Sequence, residues 1–332
     1  MPRRPLTLIL VQRPRCTTYF AIAALAVSLA VTACALKARS TLDGPPSAAQ
    51  MSEFWNAPTD LAERNLLYGP GGVDLVPSAD ERFELVATDT KGYSPGYDVR
   101  DRAGRQWSVK LGPEARTEVV VSRLVWATGY HQLPTYYVPR WVLVEAGMAT
   151  VQPAARFRLD RKKLGTWAWH ENPFVGTRSF AGLFVLMVMV NNWDLKNSQN
   201  ARYPWQRGDP GDGAREIHVV KDLGASLGRT PWFLTLRGNR DDIDAFEKEG
   251  FIEAIEGESV EFHYGGAWRE PHLRDSATTA DVRWMAERLS RLSPQQWQDA
   301  FRAGGYQDET AGRYIRRLQE KVDEGLSLAP TE

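Results

Sequence analysis

The run from Phe180 to Val190 constrains the fold of this 332-residue chain more than any other stretch. It holds 11 residues, almost all apolar, against the ~20 that a membrane-spanning helix needs. It therefore predicts a helix buried on every side, and such a helix demands a large surrounding body. The composition can supply one. With 43% hydrophobic and 25% charged residues the chain is ordinary globular protein, not collagen-like, low-complexity or wholly disordered. Basic and acidic residues each number 41, so the net charge is zero and a cationic nucleic-acid scaffold is excluded as a class. Two cysteines suffice neither for a disulfide framework nor for a zinc site built on cysteine.

The N-terminus reads as an export signal. Residues 1–18 carry Arg3, Arg4, Arg13 and Arg15 and no acid, an apolar run follows from Tyr19 to Val31, and small residues lead to Cys34. The string Val31-Thr32-Ala33-Cys34 resembles the lipobox of bacterial lipoproteins, with Val31 where leucine is usual. The resemblance implies a signal peptide over 1–33 and a lipid on Cys34. It also implies a membrane-anchored lipoprotein of the bacterial cell envelope, facing the periplasm or exterior. An uncleaved signal anchor is the alternative. Without the leader, 37 basic residues stand against 41 acids, a net charge of −4. The small, polar, proline-bearing stretch that follows reads as a tether over 34–50.

Downstream the order is β-rich first and α-rich second, which predicts an α+β chain. Phe83–Ala87, Tyr97–Arg100 and Gln106–Leu111 read as an antiparallel meander, the last alternating Trp107, Val109 and Leu111 with Ser108 and Lys110. A helix is expected from Pro113 through Ala127, and a shorter one within Met51–Tyr68 capped by Thr59 or Asp60. Tyr136–Val144 and Arg156–Leu159 read as strands, and Lys162–Thr177 as irregular. In the last third, Val282, Met285, Leu289 and Leu292 keep a helical period. Ser293-Pro294 starts a further helix that Gly304-Gly305 stops, and Ala311, Ile315, Leu318 and Val322 stripe a final one.

Polar residues crowd directly behind the apolar run, in Asn191-Asn192-Trp193-Asp194-Leu195-Lys196-Asn197-Ser198-Gln199-Asn200. They either cap the helix or carry chemistry. A second string, Val219-Val220-Lys221-Asp222-Leu223-Gly224, is a β-branched strand ending in an aspartate 28 residues after Asp194. A strand-borne Asp beside a loop-borne Asp and Asn suits Mg²⁺, which takes hard oxygen ligands and keeps several waters. Upstream, Lys110 sits in a strand and Glu118 opens the following helix.

A glycine-bearing hairpin, a strand lysine, a helix glutamate, an apolar helix, an Asp-x-Lys loop and a strand ending Asp-x-Gly occur here in that order. The series resembles the protein-kinase-like superfamily, nearer its atypical branches (HipA-type, phosphatidylinositol-kinase-type and CotH-type kinases). The resemblance implies two lobes, a β-rich N-lobe over 51–160 and an α-rich C-lobe over 161–328. It also implies transfer of phosphate from ATP, with Mg²⁺, to a hydroxyl on a protein or small molecule. Lys110 would hold the phosphates, Glu118 would orient it, and backbone amides around Gly92 and Gly96 would cover them. Asp194 would be the catalytic base, Lys196 would steady the transferred group, and Asp222 and Asn200 would bind the metal. The family's metal-binding Asn lies five residues past the catalytic Asp, where this chain has Gln199; Asn197 and Asn200 flank it. Glu114, only four residues from Lys110, is set aside in favour of Glu118.

Two other readings remain open. One is a catalytically inactive member of the same fold, acting as a binding or scaffold lipoprotein. The other is a carbohydrate-binding envelope protein working through loop tryptophans Trp167, Trp169, Trp232 and Trp268. The five histidines show no ligand-like spacing.

Overall fold

The computed structural model describes residues 37–89, 94–211, 213–231, 237–266, 271–273 and 276–329. The expected leader, Cys34, Gly92, Trp232 and Trp268 lie outside these residues. The described fold is mixed α/β, sheet-rich toward the N-terminus and helix-rich toward the C-terminus.

Strand β1 (Arg39–Ser40) comes first and pairs in parallel with Glu171–Asn172. A short helix, Ala48–Ser52, follows with a Ser47–Gln50 capping box. Both lie in or at the edge of the stretch expected as tether, so part of that stretch is built into the fold. The helix expected behind Thr59 or Asp60 is only a 3₁₀ turn, Leu61–Glu63, where Asp60 makes no side-chain cap.

Seven strands form the main sheet: β2 (Arg82–Asp89), β3 (Gly96–Arg100), β4 (Gln106–Leu111), β5 (Thr135–Val138), β6 (Trp141–Glu145), β7 (Met148–Gln152) and β8 (Ala155–Leu159). Their order is β5-β8-β4-β3-β2-β6-β7, antiparallel except where β2 meets β6. The meander read from the sequence is its centre. The alternation in β4 buries Trp107 and Val109 among Phe83, Val99, Trp141 and Phe157 and turns Lys110 to the opposite face. Trp141 and Phe157 meet edge to face, with centroids 5.2 Å apart. The single run expected over Tyr136–Val144 is two strands broken at Pro139-Arg140. They pair on opposite sides of the sheet, β5 with β8 and β6 with β2.

The helix Glu114–Ala127 starts behind Pro113 and lies between strands β4, β5 and β8 and the helix Pro294–Ala303. Covered on both faces, it buries Glu114, Glu118 and Arg123 as well as its valines. The apolar run forms the helix Arg178–Met189, capped by Thr177 and buried from Ser179 onward. The ring of Trp284, from the helix Thr279–Leu289, lies over Gly182 so closely that a Cβ there would sit 2.5 Å from it. The helices Pro294–Ala303 and Asp308–Leu326 match the expected stripes, the first with a Ser293–Gln296 capping box and Pro294 at its first position.

The region expected to be helical also holds β9 (Glu171–Asn172), the hairpin of β10 (Asn200–Pro204) and β11 (Glu216–Val220), and the pair β12 (Ile252–Glu256) and β13 (Ser259–Phe262). No helix among the described residues is long and apolar enough to cross a membrane.

Candidate functional site

A cleft of about 650 Å³ brings together residues from β3, β4, β8, the loop after the apolar helix and the end of β11. Seven Lys or Arg residues and four Asp or Glu residues line it, so it carries an excess of positive charge.

Lys110 is its anchor. Its Nζ donates to Asp222 Oδ1 at 3.0 Å and lies 3.2 Å from both Glu114 Oε2 and Glu118 Oε2. Burial works against this charge, but Glu118, Asp222 and Glu114 outweigh it and hold the ammonium above its ordinary range. Burial likewise raises Asp222, yet Lys110 first, then Arg158 and Arg156, bring its carboxyl down to about 2. Glu114, set aside on spacing, touches Lys110 as closely as Glu118 does. Lys110 is the next-to-last residue of β4 and Glu114 begins the next helix, so the chain folds back on itself within that short interval.

Glu118 is buried and serves three cations. Its Oε1 accepts from Arg158 at 2.7 Å and lies 2.9 Å from Arg156 Nε, while Oε2 faces Lys110 without a hydrogen bond. Burial raises its pKa, but Arg156, Lys110 and Arg158 together hold it below the usual carboxylate range. Arg156 and Arg158 flank the buried Phe157 on β8, so alternation sends both to one face. That Arg-Phe-Arg pattern is a signal which sequence reasoning could have used and did not.

The loop after the apolar helix divides its work. Asn191, in the left-handed region at φ 54°, donates to Gly228 O at 2.8 Å and accepts from Lys321 Nζ at 2.8 Å. Asn192 accepts from the Asp194 amide and donates to Asp222 O at 3.4 Å, and Tyr264 donates its hydroxyl to Asn192 O. These two asparagines build the loop. Asp194, Lys196 and Gln199 face the cleft. Asp194 Oδ2 accepts from Lys196 Nζ at 2.7 Å and from Gln199 Nε2 at 3.0 Å, and Gln199 Nε2 also reaches Asp222 Oδ2 at 3.2 Å. One amide group thus joins the two aspartates.

Asn200 is not at this junction. It is the first residue of β10, is buried, and gives its side-chain amide to Trp167 O at 3.2 Å. Asn197 is held by the Trp169 amide and lies against His170. The residue at the junction is Gln199, five positions past Asp194, while Asn200, the position expected to bind the metal, faces Trp167.

Gly96 lies opposite Lys110 in the β3–β4 pair and lines the cleft, and a Cβ there would be 2.5 Å from Val109 O. Gly224 is pressed against the same helix: a Cβ would come within 2.6 Å of Glu114 Cβ, and Thr117 donates to Gly224 O at 2.8 Å. The Asp222-Leu223-Gly224 segment is thereby docked on the helix that carries Glu114 and Glu118. Arg240 joins from a later segment, paired with Glu114 and lying over the Trp193 ring at 5.2 Å.

The tryptophan platform is not borne out for its described members. Trp167 and Trp169 are 6% and 0% exposed and belong to the core. One histidine does sit among acids: ligand atoms of Glu53, Glu216 and His218 lie within 4.8 Å of one another, with Arg202 already on Glu216 at 3.1 Å.

No protein-family model and no curated protein matches the chain. Among solved structures it is similar to a proinflammatory kinase of Helicobacter pylori, CtkA, at 8% identity, over 73% of this chain and 98% of that one, with a TM-score of 0.30. A likeness this slight supports no inference, and the functional reading rests on the cleft.

Proposed function

We propose that the protein is an atypical, kinase-like phosphotransferase with a β-rich and an α-rich lobe. It would move the terminal phosphate of ATP to a hydroxyl on a protein or small molecule. The observation that carries the reading is the junction of Lys110, Asp222, Gln199 and Asp194. It joins a strand, a strand end and a loop through contacts of 3.0, 3.2 and 3.0 Å.

Lys110 is held charged by three carboxylates and is free to exchange one of them for phosphate oxygens. Glu118, fixed by Arg156 and Arg158, keeps its ammonium in place. Asp222 and Asp194 face one shared donor, which is where a hard cation would replace a hydrogen bond. With its amide turned, Gln199 would offer that cation an oxygen in place of the nitrogen. Mg²⁺ held there would neutralise charge on the phosphates. Asp194 would accept the proton of the acceptor hydroxyl as its oxygen bonds to phosphorus and the bond to the leaving diphosphate breaks. Lys196, beside Asp194, would balance charge on the moving group. Attachment to the envelope through a lipid on Cys34 remains part of the proposal.

The inactive scaffold is favoured by one feature, the occupation of Asp194 Oδ2 by both Lys196 and Gln199. Thermal denaturation with ATP, with and without Mg²⁺, and radiolabel transfer from ATP separate the two. Catalysis requires a Mg²⁺-dependent rise in melting temperature that Asp222→Ala abolishes, and transfer that Asp194→Ala abolishes. Wild-type protein that shows neither overturns the enzyme reading.

A further inference from the structure

Glu216 and His218 alternate with Ile217 on β11, so the pleat sends both side chains to one face of the β10–β11 hairpin. Glu53, directly after the helix Ala48–Ser52, comes to meet them. Its backbone oxygen accepts from the His218 amide at 2.8 Å, and its Oε1 accepts from the Arg215 amide at 3.3 Å. One atom from each of the three side chains lies within 4.8 Å of the other two, and His218 Nε2 is 3.5 Å from Glu216 Oε1. Two ligands held tetrahedrally at ~2.0–2.1 Å from a metal stand about 3.3–3.4 Å apart, so that pair already has nearly the spacing of a shared ion. The imidazole is 5% exposed and packs in T-shaped contact with Phe174, and its Nδ1 is buried without a hydrogen-bond partner. Glu216 holds Arg202 at 3.1 and 3.3 Å, whereas among the described residues Glu53 forms no ion pair. A polar ring enclosed this way, beside two carboxylates, is costly unless a ligand completes it.

We propose that Glu53, Glu216 and His218 form a divalent-cation site for Zn²⁺, the ion that a mixed set of imidazole nitrogen and carboxylate oxygen suits. Three side chains leave a fourth position to water. Glu216 would offer Oε1 and leave Oε2 to Arg202, an outer partner of the kind that orients ligating carboxylates. Glu53 is half-buried and closes the remaining distance by turning its carboxylate inward. Bound there, the ion would pin the short helix Ala48–Ser52 to the β10–β11 hairpin. None of the three residues lines the cleft, so the site stands or falls apart from the proposed phosphate transfer.

The test is titration of the full chain with Zn²⁺ by calorimetry, without nucleotide, and with Co²⁺ as a spectroscopic stand-in. Glu53→Gln, His218→Gln and, as a control in the cleft, Asp222→Ala are titrated alongside, with circular dichroism confirming that each folds. Wild type should bind one ion per chain. Glu53→Gln and His218→Gln should bind it at least about tenfold more weakly, since loss of even an outer partner costs about 10–100-fold, and Asp222→Ala should bind it as wild type does. The Co²⁺ complex should show the visible bands of a four-coordinate ion, and His218→Gln should lose them. No Zn²⁺ binding, or equal affinity in wild type and both folded site variants, overturns the site. So does binding that only Asp222→Ala removes, because the ion would then lie in the cleft. The expected Zn²⁺ losses without transfer from ATP would keep the site and refute the kinase reading. Transfer from ATP without Zn²⁺ binding would do the reverse.

Discussion

Glu118→Gln tests the charge arrangement at the centre of the molecule. The substitution keeps the shape of the side chain and removes its charge. Lys110 still has Glu114 and Asp222, at 3.2 and 3.0 Å. Arg156 and Arg158 lose their shared carboxylate and keep only backbone acceptors, Ser108 O at 2.7 Å and Lys221 O at 2.8 Å. Arg156 and Glu118 are 2% and 1% exposed, so water cannot replace what is lost. Removing one partner of a buried ion pair costs about 3–5 kcal/mol. Unfolding entropy near 2.1 cal/mol/K per residue, over a unit of roughly 300 residues, gives about 0.6 kcal/mol/K, so the melting temperature should fall by about 5–8 °C. Calorimetry reads the shift, and urea denaturation gives the free energy independently. Adding Arg156→Met to Glu118→Gln should recover part of the loss, because it removes one stranded cation. A loss below about 1 kcal/mol, or no recovery in the double variant, would refute the claim that Glu118 balances these arginines.

Gly224→Ala should destabilise the protein by about 1–3 kcal/mol in urea denaturation, because its methyl would meet Glu114 Cβ at 2.6 Å. Stability equal to wild type would show that the docking is loose. His218 is buried and lowered to about 3, by burial and then by Arg202. Its folded pKa lies below the unfolded value near 6.5, so the stability it contributes is present above that value and is lost as pH falls. Between pH 7 and 5 the loss is about 2 kcal/mol. His218→Gln should lose correspondingly less over that interval, and equal acid sensitivity would count against this assignment. Lys321, wholly buried, donates to Met189 O at 3.0 Å and to Asn191 Oδ1. Lys321→Met should speed hydrogen exchange at the Trp193 and Asp194 amides about tenfold, the exchange equivalent of losing one net hydrogen bond of about 1 kcal/mol or slightly more; unchanged protection would show that the loop is held without it.

Much of the site was legible because its signals are local. Period-two alternation placed Lys110 opposite Trp107 and Val109 on a strand. Pro113 marked the helix that carries Glu118, and the apolar run placed Asp194 just beyond a buried helix. Strand propensity put Asp222 at a strand end. Each of these depends on residues within a few positions of one another, where backbone geometry alone decides which side chains share a face.

Other features depended on contacts between distant segments. Trp167 and Trp169 sit in sequence that looks like loop, but core packing encloses them. Pro139 divides one apparent strand into two that pair with different partners. At the end of the loop, the start of β10 at Asn200 turns that residue inward to Trp167 O and leaves Gln199 facing both aspartates. A one-residue change of direction is set by strand pairing with β11, not by residue type.

The apolar run and the alternating strands were sufficient by themselves to specify a buried helix, a strand meander and the elements that bear Lys110, Asp194 and Asp222. Only the tertiary structure decided that Gln199 joins the two aspartates, that Glu114 shares Lys110, and that Arg156 and Arg158 meet at Glu118. The physical reason is range. Hydrophobic period acts through neighbouring residues along the chain, whereas charge balance in a cleft is a sum over side chains that only folding brings together.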